Sequence, residues 1–319
     1  MHVVITGGLG FIGLELARSL AAREDVETLT LFDVAPPPLG LPVPGRGQVV
    51  VGDICDGASI RPLFERENLL VFHLASVVSA AGERDFDLAL RVNLDGGRNV
   101  LEACRAAGSS RLVFASTLAV FGGSAMPATV TDATRPTPQT TYGTTKAICE
   151  LLVNDYTRKG FIDGRSARLP TVIIRPGAPN AAASSFASAV FREPLAGRVY
   201  PLPVPLETRV PVIGMRTVVD CLIRLADLPP DALGDDRTVN LPSLSVTVAE
   251  MVESVQQVAA AYRIASGRIE VREDEEIGRI VRTWPEYATA ERALALGLPQ
   301  DEALDPIAAD YVDRFGGAG

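Results

Sequence analysis

Apolar positions along this chain fall into short uniform runs, separated by stretches of helical period, and polar residues gather where each run ends. Residues 2–6 form the first such run, followed by a glycine-rich turn and a helix pattern over 14–23. Residues 28–32, 49–51, 69–73 and 111–115 repeat the theme, with a long helical stretch over 83–107. Runs that are apolar throughout, rather than at alternate positions, belong to parallel strands covered on both faces. Strands alternating with helices predict an α/β fold, a doubly wound parallel sheet. A sixth run, 166–175, is broken by Pro170, and a Pro/Gly-rich segment over 36–47 reads as a surface loop. Past Pro176-Gly177 the rhythm changes. A small-residue helix is expected over 181–192, a strand over 210–213, a helix over 217–228 and a short strand over 239–242. Further helices follow at 247–260, 287–296 and 302–315, the first of them capped by a Thr247/Glu250 box. The expected division is one sheet domain over 1–176, rejoined by 210–230, and a smaller, mostly helical part made of 177–209 and 231–319.

The polar residues at the run ends carry the chemistry. The first run leads straight into Gly7-Gly8-Leu9-Gly10-Phe11-Ile12-Gly13, and the second ends at Asp33, about 20 residues after the last glycine. Strand, glycine turn, helix, strand and acid in that order form the context of a dinucleotide site. The glycines let the backbone approach a pyrophosphate at the helix N-terminus. Asp33 would accept the adenosine ribose hydroxyls. No arginine follows it in Val34-Ala35-Pro36, so a 2′-phosphate would be repelled and NAD is expected over NADP. Asp53 ends the third strand, where it would meet the adenine edge. Ser116-Thr117 ends the fifth, facing the carboxyl-end crevice in which open α/β sheets bind ligands. His73 reads as a packed strand-end residue. Tyr142 and Lys146 stand four apart, on one face of a helix. An ammonium beside a phenol favours the phenolate, bringing a group of pKa roughly 10 toward use as a general base.

Composition narrows the partners. A net charge of −9 with no Lys/Arg-rich run argues against nucleic acid. No apolar run approaches the roughly 20 residues a membrane helix needs, and the chain opens directly on a strand pattern without a leader. The four cysteines are scattered with no CxxC pair, and two histidines leave little for a metal site. A cytoplasmic enzyme without a metal is expected.

Taken together, Thr6-Gly7-x-x-Gly10-Phe11-Ile12-Gly13, Asp33, Gly52-Asp53-Ile54, His73-Leu74-Ala75, Asn93, Ser116-Thr117, Val120-Phe121-Gly122, Tyr142-x-x-x-Lys146 and Arg175-Pro176-Gly177 resemble the extended short-chain dehydrogenase/reductases, which include the NAD-dependent epimerases and dehydratases. The resemblance implies a Rossmann domain binding NAD through the glycine turn, Asp33, Asp53, Ile54, Leu74, Ala75, Ser76, Asn93, Tyr142, Lys146 and Pro176. It also implies a Thr–Tyr–Lys triad. Counting back four from Phe121, which stands where the family usually has tyrosine, the hydroxyl member is Thr117. Tyr142 would take the alcohol proton, Lys146 would lower its pKa and bind the nicotinamide ribose, and Thr117 would orient the substrate oxygen while hydride passes to the nicotinamide. Members of the family commonly form homodimers through two long helices, here about 83–107 and 142–159.

Two departures from the sugar-nucleotide enzymes stand out. Arg209-Val210-Pro211-Val212-Ile213-Gly214-Met215-Arg216 replaces their aromatic-rich segment, and Thr117 is followed by Leu118-Ala119 where dehydratases carry acids. The stretch 168–186, then Arg192-Glu193-Pro194-Leu195 and Trp284-Pro285, is instead similar to a branch of the family that oxidises D-erythronate. That implies oxidation at C2 of a small sugar acid. Such a polyhydroxy carboxylate wants hydroxyls, an amide and a cation. Ser76, Asn180, Ser185 and either Arg192 or Arg209 are the candidates, beside Thr117 and Tyr142. The alternatives are a nucleotide-sugar 4-epimerase holding NAD tightly, and an NAD-sensing regulator without activity.

Overall fold

The computed structural model describes residues 1–37, 43–45, 47–108, 110–177 and 182–316. Seven strands form one sheet: β1 (His2–Thr6), β2 (Thr28–Asp33), β3 (Gly47–Val51), β4 (Leu69–His73), β5 (Ser110–Thr117), β6 (Asp163–Leu169) and β7 (Thr238–Asn240). Their spatial order is β7-β6-β5-β4-β1-β2-β3, and every neighbouring pair is parallel. This is a Rossmann-like sheet. Its order reverses between β1 and β4, which opens a crevice at their carboxyl ends.

Both faces of the sheet are covered, which is why the runs are apolar throughout. Val3 and Ile5 of β1 turn to one face, with Leu16 and Leu20 of the helix Phe11–Ala21 and Val218, Leu222 and Leu225 of the helix Met215–Asp227. Val4 between them turns to the other, with Val100 and Cys104 of the helix Gly96–Ala107 and Cys149 and Val153 of the helix Thr141–Arg158. A second core lies outside the sheet, where Phe186, Val190 and Phe191 of the helix Ser185–Leu195 meet Met251 and Val255 of the helix Val248–Ala261. The Thr247/Glu250 capping box is present at the start of that last helix.

Several expected boundaries differ. The stretch over 83–107 is divided into helices Ser79–Arg84 and Phe86–Ala89, a π-helical turn Leu90–Asp95 and the helix Gly96–Ala107. Asp85 makes the first break, its carboxylate accepting the Leu88 amide at 2.9 Å and so restarting the helix. The segment from 231 onward does not stay apart from the first domain, because β7 adds to the sheet edge beside β6. The strand Arg209–Gly214 stays out of the main sheet; it pairs in parallel with Thr171–Ile173 and antiparallel with Leu244–Thr247. The helix expected over 287–296 resolves into a two-residue strand, Tyr287–Ala288, and the short helix Glu291–Ala295. Among the described residues no helix is long and apolar enough to cross a membrane.

Candidate active site

The glycine turn after β1 is shaped by close approaches. Gly7 has φ +71°, and a β-carbon there would lie 2.7 Å from the Ala75 amide nitrogen. A β-carbon on Gly13 would lie 2.6 Å from the Gly7 carbonyl oxygen, so the helix Phe11–Ala21 rests directly on the turn. Gly10 differs. Its one near neighbour would be the Gly7 carbonyl at 3.1 Å, and as N-cap it offers no side chain to the helix. The turn is therefore open on its outer side, with the first helical amides left for an anion. At the end of β2, Asp33 accepts the Leu9 amide at 3.0 Å and the Ala35 amide at 3.3 Å. An uncapped helix start, a turn open to close approach and an anchored acid beside it fit a dinucleotide such as NAD.

One cavity of about 360 Å³ opens at the carboxyl ends of the strands. Gly7, Gly10, Phe11, Ile12 and Gly13 line it, and so do Leu74, Ser76, Thr117, Tyr142, Lys146, Ser185 and Arg192. Asp33, Asp53, Ile54, Ala75, Asn93 and Pro176 lie outside its wall. Asp53 accepts the Cys55 amide at 2.9 Å, which holds its carboxyl below the usual range. Asn93, buried where the π turn faces inward, spends its amide within the protein. Its oxygen accepts the Val77 amide at 2.7 Å and the Ser76 hydroxyl at 3.1 Å, while its nitrogen donates to the Val77 carbonyl and the Thr145 hydroxyl. All four of its bonds are then used. Asn93 thus fastens the loop after β4 and stands off the cavity wall.

Tyr142 stands at the start of the helix Thr141–Arg158, where the Thr140 hydroxyl accepts the Gly143 amide at 3.1 Å. Thr117 at the end of β5 is near enough to its phenol to favour the phenolate. Lys146 is buried one turn later; its ammonium donates to the Ala115 carbonyl at 2.7 Å and lies 4.7 Å from the Phe114 ring centroid and 5.7 Å from that of Tyr142. Burial pushes the Tyr142 phenol up to about 12, against the lowering effect of Thr117. It pushes Lys146 down to about 8, partly offset by Cys149 and Glu150. Burial thus outweighs the expected lowering of the phenol by the lysine. The reason is geometric: the ammonium is held against a carbonyl and over the rings, and desolvation dominates. His73 packs at the end of β4, its Nδ1 2.7 Å from the Thr6 hydroxyl, and burial drives it down to about 3, so it stays neutral.

The substrate candidates divide. Ser76, Ser185 and Arg192 are on the cavity wall. Arg209 is not, because its guanidinium is engaged by the Ser245 carbonyl at 2.7 Å, by Glu250 at 3.6 Å and by the Tyr287 ring at 5.1 Å. Asn180 lies outside the described residues. The wall also holds Arg175, Ser188 and Trp284, none of them singled out from sequence as ligand-binding residues. Trp284 is the one tryptophan of the chain and precedes a proline, a signal that could have marked it. Beneath the site, Glu150 receives Arg168 through two bonds of 2.9 and 2.8 Å and a short bond from the Ser116 hydroxyl, while Arg168 lies over the Phe121 ring.

A nucleotide turn and a buried Tyr–Lys pair opening on one crevice are the equipment of an enzyme that works with a dinucleotide. The sequence comparison gives this class its family. The model of the NAD-dependent epimerase/dehydratase family matches residues 3–240, and the chain belongs to that family. D-erythronate dehydrogenase from Cupriavidus necator is 45% identical, over 99% of each chain. The enzyme of that name from Haemophilus influenzae is 42% identical, over 98% of this chain and 99% of its own. Among solved structures, the nucleoside-diphosphate-sugar epimerase from Agrobacterium tumefaciens superposes with a TM-score of 0.89 at 37% identity, covering 100% of this chain and 95% of its own.

Proposed function

We propose that the protein oxidises the C2 hydroxyl of a small sugar acid, D-erythronate or a close relative, to the 2-oxo acid. The observation that carries this reading is the meeting of Thr117, Tyr142 and Lys146 with the glycine turn on the wall of one cavity. The substrate class comes from the two D-erythronate dehydrogenases, which align over nearly the whole chain.

The protein's part is to bind, orient and move one proton. The glycine turn and the open helix start would hold the pyrophosphate of NAD, and Asp33 the adenosine ribose. When bound, NAD⁺ supplies the electron-pair acceptor and a positive charge that favours the phenolate. Thr117 orients the substrate hydroxyl against the phenol. Tyr142 takes the hydroxyl proton, and Lys146, held by the Ala115 carbonyl, keeps positive charge beside the ring as that proton moves. The balance is a secondary alcohol and NAD⁺ giving a ketone, NADH and one proton.

The face of the helices Gly96–Ala107 and Thr141–Arg158 is the surface through which a homodimer would form, with Leu151 exposed on it. Cys55, Cys104, Cys149 and Cys221 are all free, which suits a reducing cytoplasm. The Agrobacterium neighbour gives a second reading, epimerisation of a sugar nucleotide without net redox change. Incubation with NAD and D-erythronate at mildly alkaline pH separates the two: stoichiometric NADH supports the oxidation. No NADH on any aldonate, with interconversion of a UDP-sugar, would establish the epimerase instead.

A further inference from the structure

The cavity wall is cationic in an acidic protein. The chain carries a net charge of −9, yet among its described residues the wall holds Lys146, Arg175 and Arg192 and no Asp or Glu. Lys146 belongs to the triad. The Arg175 guanidinium lies 5.9 Å from the ring of Phe11, at the glycine turn. Arg192 belongs to neither. It projects from the helix Ser185–Leu195, which packs in the second core, and it is 3% exposed.

The Arg192 fork is held on two sides and unsatisfied on the third. Nε donates to Glu193 at 2.8 Å and Nη1 to the Arg175 carbonyl at 3.1 Å, while Nη2 is buried with no partner. Glu193 is shared, since Arg198 also donates to it at 2.7 Å. One carboxylate therefore serves two guanidiniums, while burial first and the nearby Arg192 second disfavour the protonated form of Arg175. A second orphan stands on the same wall, the buried indole Nε1 of Trp284. Buried donors without partners are rare and costly. Two of them on residues that line one cavity, on a wall with no carboxylate among its described residues, are the complement of an anion with more than one acceptor oxygen.

We propose that Arg192, with the Trp284 indole N–H, recognises the carboxylate of the substrate, so that the enzyme selects acids over neutral polyols. This rests on the oxidation of a sugar acid proposed above. Glu193 is a positioning residue in this arrangement, because it fixes the plane of the Arg192 fork. The charge-assisted donor supplies most of the selection and the neutral indole the smaller share.

The test is binding of D-erythronate and of its neutral amide to the enzyme–NADH complex by calorimetry, beside steady-state kinetics with NAD. Arg192→Gln is expected to raise both Kd and KM for D-erythronate on the order of 100-fold and to erase the preference for the acid over the amide. Arg192→Lys should restore part of that preference. Trp284→Phe should weaken the acid several-fold, leaving the melting temperature and NADH affinity near those of the parent; it and Arg192→Lys decide the matter if Arg192→Gln fails to fold. Should the parent oxidise D-erythronate while these variants keep its acid-to-amide ratio, the carboxylate assignment is overturned and the oxidation stands. Arg192-dependent binding without NADH formation would uphold the assignment and overturn the oxidation. A folded parent that binds no D-erythronate overturns both.

Discussion

Gly143 lies so close to Ala119 that a β-carbon on it would stand 2.2 Å from the Ala119 carbonyl oxygen. Side chains essentially never come that near a backbone oxygen, so the helix carrying Tyr142 rests on the loop that follows Thr117 only because residue 143 is glycine. The contact joins the start of the Tyr142 helix to the turn two residues after Thr117. Gly143→Ala is expected to lift the helix start and lower kcat on the order of 100-fold, the loss that a misplacement of about 1 Å brings. NAD affinity should change little, since the glycine turn is elsewhere. Kinetics together with NAD titration check this; unchanged kcat would show that Thr117 and Tyr142 do not act as a pair.

Tyr142→Phe removes the proton acceptor and keeps the buried ring. Turnover should fall by a factor of roughly 10² to 10⁴, the usual range for a general base, with NAD binding retained. The pH profile gives a second check. With the phenol pushed up to about 12, its base form is scarce at neutral pH. Oxidation in the parent should therefore accelerate as pH rises above neutrality, and the variant's residual rate should lose that slope. A variant that retains the parental rate would remove Tyr142 from the chemistry.

The sheet and the glycine turn were legible because strand burial and close backbone approach leave direct marks in sequence, uniform apolar runs and fixed glycine spacing. What depended on tertiary context was not. Asn93 looks like a ligand-facing amide until the π turn points it at Val77. Arg209 and Arg192 are equivalent in sequence, and only their neighbours decide that one meets Ser245 and Tyr287 while the other lines the cavity. β6 begins at Asp163, ahead of the apolar run that opens at 166, because the charges at 163 and 165 leave no apolar mark. Arg165 is in fact fully buried, and its guanidinium donates to the Leu225 and Ala226 carbonyls at the end of the helix Met215–Asp227.

That buried charge makes Asp163 a stability determinant. Its carboxylate receives Arg111 at 3.0 Å, Arg165 at 2.7 Å and Arg237 at 2.6 Å. The Arg165 and Arg237 side chains are 0% and 6% exposed, so water does little to replace the lost partner. Asp163→Asn is expected to destabilise the fold by about 3 kcal/mol or more. The pair between Arg23 and Asp25 is open to solvent, and Asp25→Asn should cost about 1 kcal/mol at most. Urea unfolding of the two variants side by side checks the contrast; equal losses would mean that burial does not govern these pairs.

His73 makes the fold acid-sensitive in a defined window. Its folded pKa is driven to about 3 by burial and by Lys146, against 6.5 for a free imidazole. Between those values the unfolded chain binds a proton that the folded chain refuses. Stability from this group is therefore complete above about pH 6.5 and is lost as pH falls toward 3, by about tenfold in the folding equilibrium per pH unit. Carboxylates titrate mostly below pH 5, so the interval from 6.5 to 5 isolates the histidine. His2, the chain's other histidine, lies in a solvent-accessible pair with Glu27. His73→Phe keeps a ring against Phe114 while removing the proton site and the Thr6 bond, so it should be less stable than the parent at neutral pH. Its stability should nevertheless fall less steeply between pH 6.5 and 5. Parallel unfolding profiles for parent and variant over that interval would mean that the buried imidazole does not set the acid limit.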